Sequence, residues 1–285
     1  MHRGRGTALV LLAAVLWGST GTAQELGAPG ASPLSVGAVR LAVGAVALVC
    51  IAALTGGFRG VRSIPLRWAV AMAIGVALYQ ASFFAAVRTT GVALGTVVAI
   101  GSAPPLTGLL VWMLTGRIPA RRWVVSTVVA IAGVVFISTP DVVTVGGVML
   151  ALGAGASYAV YAVAAERLVA VVTASTAMAI GFGGGALVLS PVLIWADLAW
   201  VRTGAGALTA LWLGLAATAL AYVLFGSGLV STPVATVATL SLAEPVTAFV
   251  LGVAVVGERP DGLGWFGAAL VLAALGWMNR RTTAT

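Results

Sequence analysis

The sequence predicts an all-α integral membrane protein with ten transmembrane helices, arranged as two inverted five-helix repeats. Three observations support this fold class: an extremely apolar composition, ten apolar stretches, and a sequence pattern that occurs twice. Hydrophobic residues make up 61% of the 285 residues and charged residues only 8%, and the mean hydropathy is +1.12. Because so few polar residues cannot cover a water-soluble surface, the chain is predicted to lie in lipid.

The ten apolar stretches are separated by short breaks rich in charge, proline and glycine. A helix needs about 20 apolar residues to cross the hydrocarbon core, and in lipid it satisfies its own backbone hydrogen bonds. A β-barrel is disfavoured because barrel strands alternate apolar and polar residues, whereas these stretches are apolar on every face. The predicted spans are residues 7–26, 34–54, 67–87, 91–115, 122–139, 145–165, 173–196, 205–230, 232–256 and 262–279.

A pattern in the fourth predicted span returns in the ninth. Residues 95–107 (GTVVAIGSAPPLT) and 235–247 (ATVATLSLAEPVT) share Thr, Val, Pro and Thr in register. The repeat divides the chain into residues 1–140 and 141–285, each with five predicted spans. Because five is an odd number, the second half is predicted to enter the membrane from the opposite side, as in the inverted repeats of many secondary transporters.

The arginines predict the orientation in the membrane. All fifteen basic residues are arginines. With the N-terminus in the cytoplasm, eleven of them fall on the cytoplasmic side, three (Arg88, Arg202 and Arg259) fall outside, and Arg40 lies within a span. This distribution follows the positive-inside rule and places both termini in the cytoplasm. The net charge of +8 then reflects orientation and contact with anionic lipid. Nucleic-acid binding is not expected, since the arginines lie in separate short loops.

The supply of reactive side chains excludes several kinds of site. His2 is the only histidine and Cys50 the only cysteine. A His/Cys zinc site, a Ser-His-Asp set and an intramolecular disulfide are therefore ruled out. We expect no metal and no cofactor, and coupling to protons or another ion stays open.

The strongest functional candidate is a carboxylate at membrane depth. Glu244 lies near the middle of the ninth span, where an ionised carboxylate costs about 3 kcal/mol or more. Pro245 removes a backbone donor and frees a carbonyl one turn earlier, which predicts a locally broken helix near Ser241. Pro104 and Pro105 hold the matching place in the fourth span and are predicted to interrupt it. Paired interruptions in corresponding helices point to a central transport site, although Glu244 has the alternative role of holding the bundle together.

Arg40 is the other charged residue within a span. It is predicted to pair with Glu25 at the end of the first helix, with the attraction of an anionic solute as the alternative. Six further residues are candidates for lining a cavity, among them two tyrosines that share one helix face and an uncharged amide. For each aromatic residue alone, packing or interfacial anchoring is the alternative. These six residues are Trp17, Tyr79, Gln80, Tyr158, Tyr161 and Tyr222.

Several short segments resemble one transporter family. Residues 11–19 (LLAAVLWGS), with Arg40 in the next helix, resemble the start of the EamA-type permeases of the drug/metabolite transporter superfamily. Residues 221–222 (AY), 244–246 (EPV) and 257–259 (GER) resemble the second repeat of that family. The likeness covers almost the whole chain. It implies ten helices in two inverted repeats, cytoplasmic termini, and a central cavity that opens alternately to either side.

The first repeat departs from the family pattern at two positions. It carries Pro104 where the second repeat has Glu244, and Arg117 where the second has Glu258. These differences argue against a coupling scheme that needs two carboxylates.

We therefore predict a multi-pass secondary transporter of the cytoplasmic (inner) membrane. The resemblance implies a small metabolite as solute, either an amino acid or related compound or a drug, with export as the expected direction. The expected partners are this solute and membrane lipid, and the protein is a monomer or a homodimer. The alternatives are a membrane-embedded enzyme and a non-transporting scaffold. The enzyme is disfavoured because the loop carboxylates form no cluster, and the scaffold because every loop is short; these carboxylates are Asp141, Glu166, Asp197, Glu258 and Asp261.

Overall fold

The computed structural model describes residues 2–58, 64–138 and 144–280, and within these residues the chain is helical without any β-strand. Eight helices are long and apolar enough to cross a membrane, and two shorter apolar helices of 17 and 16 residues lie among them. In chain order these are α1 (Gly4–Gly27), α2 (Pro33–Leu54), α3 (Leu66–Thr90), α4 (Val92–Thr115), α5 (Arg121–Ile137), α6 (Val145–Val169), α7 (Ala174–Leu189), α8 (Gly204–Leu229), α9 (Val234–Val256) and α10 (Gly262–Asn279).

Every predicted span overlaps one of these helices. The largest difference lies at 173–196, where α7 ends at Leu189, because Pro191 has no N–H with which to continue the helix. Two short helical segments, Val192–Trp195 and Ala199–Arg202, follow it. The predicted division of the chain between residues 140 and 141 lies outside the described residues, and so do Arg59, Arg62, Asp141 and Arg281.

Side-chain caps and glycines define the helix ends. Thr144, Thr203 and Asp261 accept hydrogen bonds from backbone N–H groups in the first turns of α6, α8 and α10, which is the usual role of such residues at this position. At the opposite ends, Gly116 follows α4 with φ +68° and Gly257 follows α9 with φ +84°. This left-handed backbone favours glycine, so the two helices that carry the repeated pattern, α4 and α9, end in the same way.

We call the end of the bundle where α1 begins the near end, and the end where α1 stops the far end. At the near end, Trp123 Nε1 of α5 donates to the carbonyl of Ala235 in α9 over 2.9 Å. There, too, Glu166 Oε1 near the end of α6 accepts from the first N–H of α9, that of Val234, at 2.9 Å. At the far end, the start of α8 meets the end of α1, since Thr209 donates to the carbonyl of Ala23 at 3.2 Å.

The helix pairs follow a regular scheme. Helix α3 packs on α6 and α7. Its counterpart α8, the fifth helix after α3, packs on α1 and α2. In the same way α4 packs on α6, and α9 packs on α1, while α2 contacts α7, α4 contacts α9 and α5 contacts α10. Small residues permit these close approaches. At the crossing of α5 and α10, a Cβ atom on Gly133 would lie 2.6 Å from the carbonyl oxygen of Gly267.

Corresponding helices α4 and α9 differ in their continuity. Helix α4 runs unbroken through Pro104 and Pro105, so the interruption predicted there is absent. The two prolines remove N–H donors but keep φ near its helical value, and the chain stays helical. In α9 a turn at Ser241 separates Val234–Leu240 from Ala243–Leu251. Pro245 has no N–H to donate to the carbonyl of Ser241. That carbonyl accepts instead from Glu244 N at 2.9 Å.

Candidate functional site

A cavity of about 280 Å³ lies inside the bundle and runs from about mid-depth to the far end. Seven helices line it: α1, α2, α3, α4, α6, α8 and α9. Gln24, Pro33 and Val92 mark its far end, and Tyr161 and Tyr222 lie at its deepest part. We call this space the central cavity.

Most of the predicted site residues meet in the central cavity. Gln80 does not, because it faces a second cavity on another side of α3. Pro104 and Pro105 do not line the central cavity, although their neighbour Ala103 does. The predicted residues that line it are Trp17, Arg40, Tyr79, Tyr158, Tyr161, Tyr222, Ser241, Glu244 and Pro245.

Aromatic rings form much of the cavity wall. The ring centroids of Tyr158 and Tyr161 are 4.9 Å apart, and Tyr79 lies edge-on to Tyr161 at 6.0 Å. On the opposite wall Trp17 and Tyr222 are 5.0 Å apart. Contacts of this geometry stabilise aromatic clusters beyond the area that they bury. The wall is therefore an apolar surface with phenol groups set into it.

Some lining residues were missed from the sequence. Phe83 stacks on Tyr79 with a centroid distance of 5.8 Å, and its position four residues after Tyr79 is a signal that it shares the same helix face. Thr20 and Thr96 also line the cavity. No pattern distinguishes these two threonines from the other threonines in the spans.

The break in α9 is held by hydroxyl groups. Ser241 Oγ and Tyr158 Oη are 3.1 Å apart in a buried hydrogen bond between α9 and α6, and Ser241 Oγ lies 3.1 Å from the carbonyl of Val237. Two residues earlier, Thr239 and Thr127 of α5 are joined by a hydrogen bond of 2.9 Å. The broken segment is thus tied to helices on two sides, which positions Glu244 at the cavity wall.

Of the residues that the structure describes, one acidic and one basic side chain line the central cavity, Glu244 and Arg40. The predicted ion pair of Arg40 with Glu25 is not formed: within the described residues Arg40 Nε is buried without a hydrogen-bond partner, and Glu25 is exposed. The reason is the direction of the arginine, which faces the cavity. There its positive charge acts on Glu244.

In the part of the chain that the structure describes, three polar atoms of the cavity wall are buried and lack hydrogen-bond partners. They are Trp17 Nε1, Thr20 Oγ1 and Arg40 Nε. Each unsatisfied atom of this kind lowers the stability of the protein by roughly 1–3 kcal/mol. All three carry hydrogens that can be donated, so this side of the cavity is suited to an acceptor group such as a carboxylate.

Comparisons with known proteins agree with this architecture. The chain matches the EamA-like transporter family twice, at residues 4–139 and 145–280. It is 40% identical over 271 residues to the "Uncharacterized transporter YwfM" of Bacillus subtilis (strain 168), which covers 93% of this chain and 90% of that protein. A solved crystal structure with 21% sequence identity superposes over 98% of both chains with a TM-score of 0.83, which indicates the same fold. The chain therefore belongs to the EamA-like transporter family.

Proposed function

We propose that this protein is a secondary transporter that exports a small zwitterionic metabolite, such as an apolar amino acid, across the cytoplasmic membrane by alternating access. The observation that carries the proposal is the central cavity, in which Arg40 and Glu244 face an aromatic wall. Charged groups at membrane depth are expensive. Their presence in a cavity is explained if they bind a solute with charges of both signs.

The architecture behind this proposal is ten transmembrane helices in two inverted repeats. The shorter helices α5 and α7 then also cross the membrane, which a locally thinned bilayer permits. The helix pairing supports the inversion, because the extensive contacts between the halves that α3 makes with α6 and α7 have counterparts in the contacts of α8 with α1 and α2. The contact of Glu166, near the end of α6, with the start of α9 supports it as well. An α6 that ends at the near end, where α1 begins, runs antiparallel to α1, as an inverted repeat requires.

We further propose that the near end is cytoplasmic. Arg5, Arg67, Arg122, Arg167 and Arg280 all lie near helix termini at this end, as the positive-inside rule expects. The central cavity then faces outward in this conformation. An export cycle would load the solute in an inward-facing conformation and release it in this one.

The solute class follows from the arrangement of polar groups. A carboxylate would accept hydrogen bonds from Arg40 and from the unpaired donors of Trp17 and Thr20. An ammonium group would lie against Glu244, the only carboxylate among the described residues that line the cavity. An apolar side chain would contact the tyrosines. Glu244 is also the group through which coupling to protons would act.

Ligand-dependent thermal stability of the purified protein tests the solute class, because a molecule that binds only the folded state raises the unfolding temperature. L-Leucine serves as the probe, with isopentylamine lacking its carboxylate and 4-methylpentanoate lacking its ammonium group. We expect a shift with L-leucine and little with either analogue. Equal shifts with all three compounds, or no shift with any apolar amino acid, would contradict the zwitterion proposal.

Replacement of Arg40 tests the carboxylate contact. We expect Arg40→Gln to weaken L-leucine binding by about tenfold or more, because a hydrogen bond to a charged group contributes about 1.5–3 kcal/mol. Arg202→Gln is the matched control, since Arg202 is an exposed arginine at the far end, outside the cavity lining. Equal affinity in the Arg40→Gln and Arg202→Gln proteins would remove Arg40 from the site.

A further inference from the structure

A second cavity of about 490 Å³ lies beside the central one, between α2, α3 and the end of α7. We call it the side cavity. Gln80 lines it, and the exposed Arg88 lies at its far-end rim. The other residues that give it an apolar lining include Leu34, Ala38, Ala81, Ala85, Leu189 and Val192.

Phe84 forms the partition between the two cavities. Its side chain lines both of them, as does Gly37 of α2. A Cβ atom on Gly37 would overlap the Phe84 ring, so the ring lies directly against the backbone of α2. Phe84 is thus the aromatic part of a thin partition, which Pro33, Val87 and Val92 complete because they also line both cavities.

Ser32, whose hydroxyl caps α2, and Arg88 line the far-end part of the side cavity, and Gln80 is the polar residue at its depth. The residue is only 4% exposed, and its amide oxygen is buried without a hydrogen-bond partner. An unsatisfied acceptor of this kind destabilises the protein, whereas its pairing with a bound molecule would be favourable. A half-turn about the Cγ–Cδ bond exchanges the amide oxygen and nitrogen, so the side chain is able to present either of them.

The depth of Gln80 constrains the occupant. It lies ten residues before the end of α3 at Thr90, which is about 15 Å along a helix, or half of the roughly 30 Å hydrocarbon core. The polar group of a bilayer lipid stays at headgroup level and does not reach this depth. A charged group at the depth of Gln80 is costly whatever its sign, and the positive charge of Arg88 at the rim further disfavours a cation. A compact, uncharged molecule meets both conditions.

We propose that the side cavity is a second binding site, for a compact uncharged molecule that carries a hydroxyl group on an apolar body. The hydroxyl would bond to the Gln80 amide, and the apolar body would contact Leu34, Leu189 and Phe84. The site is distinct from the central cavity, whose Arg40 and Glu244 suit charged groups. Its existence does not depend on transport, and its test uses none.

Cysteine protection tests this proposal in protein reconstituted into liposomes. Cys50, the one natural cysteine, is first replaced by alanine. Ala85→Cys then places a thiol in the side cavity, and the rate of its alkylation by N-ethylmaleimide is measured over the same series of bilayer concentrations of benzyl alcohol and of toluene. We expect benzyl alcohol to protect the thiol at about fivefold lower concentration than toluene, as one added hydrogen bond predicts.

Two variants provide the controls. Gln80→Leu keeps the apolar volume but removes the amide, and it should abolish the difference between the two compounds. Val188→Cys places a thiol on an exposed position of α7 outside the lining, and it should react equally with either compound present. Equal protection of the Ala85→Cys thiol by both compounds would overturn the proposal. A preference that survives Gln80→Leu would do the same, and so would the failure of both Ala81→Cys and Ala85→Cys to react.

Discussion

Helices α4 and α9 occupy corresponding places in the two repeats, yet they use proline in opposite ways. Helix α4 carries two prolines and remains continuous, whereas α9 carries one and is broken at Ser241. The broken helix holds the charge, because Glu244 follows the turn while Pro104 stands at its counterpart. Corresponding helices of the two repeats therefore both line the cavity, but only α9 brings an acidic group to it among the described residues.

The largest expected effect concerns the charge that distinguishes the two helices. Glu244→Gln keeps the shape of the side chain and removes its negative charge. We expect counterflow of the bound amino acid in proteoliposomes to fall by at least about tenfold, since a charged hydrogen bond is lost. Pro104→Ala, at the matching position of α4, should stay within about twofold of the natural protein, since it removes no charge. Unchanged counterflow in Glu244→Gln would assign Glu244 to structure alone.

An intermediate effect is expected at the turn itself. Tyr158→Phe and Ser241→Ala each remove the 3.1 Å hydrogen bond between α6 and α9. Each should lower the free energy of unfolding by about 1 kcal/mol. The double variant should lose less than the sum of the two single losses, because the second substitution removes a bond that is already gone.

Ser227→Ala is the control for this double-mutant cycle. Its hydroxyl bonds only within its own helix, to the carbonyl of Val223 at 2.7 Å, and its loss should add independently to that of Tyr158→Phe. Full additivity of Tyr158→Phe with Ser241→Ala would show that the hydrogen bond does not hold the turn.

The smallest effect is expected from the prolines. Pro245→Ala restores an N–H that competes with Glu244 N for the Ser241 carbonyl, so the turn should straighten and amide exchange at residues 241–245 should slow. Pro105→Ala should leave exchange in α9 unchanged, because Pro105 lies in α4. Faster exchange at 241–245 in Pro245→Ala would mean that the turn does not depend on the missing donor.

Hydropathy predicted where the helices lie. Polar groups are costly to bury in lipid, so the spans stand out in the sequence as apolar stretches between polar breaks. Hydropathy did not predict how each helix is rotated about its axis. Tyr79 and Gln80 are neighbours in sequence, yet they face different cavities, since successive residues of a helix point about 100° apart. The same rotational freedom explains Arg40, which faces Glu244 rather than Glu25. The outcome at Pro104 depended on local hydrogen bonding, which proline content alone does not determine.

The crossing of α5 and α10 restricts two positions of the chain to glycine. A Cβ atom on Gly133 would meet the carbonyl oxygen of Gly267, and one on Gly267 would lie 2.5 Å from that of Gly133. Each backbone therefore bars a methyl group on the other. A smaller neighbour can compensate for a larger residue in a packed pair. Here no such compensation is possible, because both residues are glycines and neither has a side chain to reduce. A residue larger than glycine at either position would therefore require α5 and α10 to separate at this crossing.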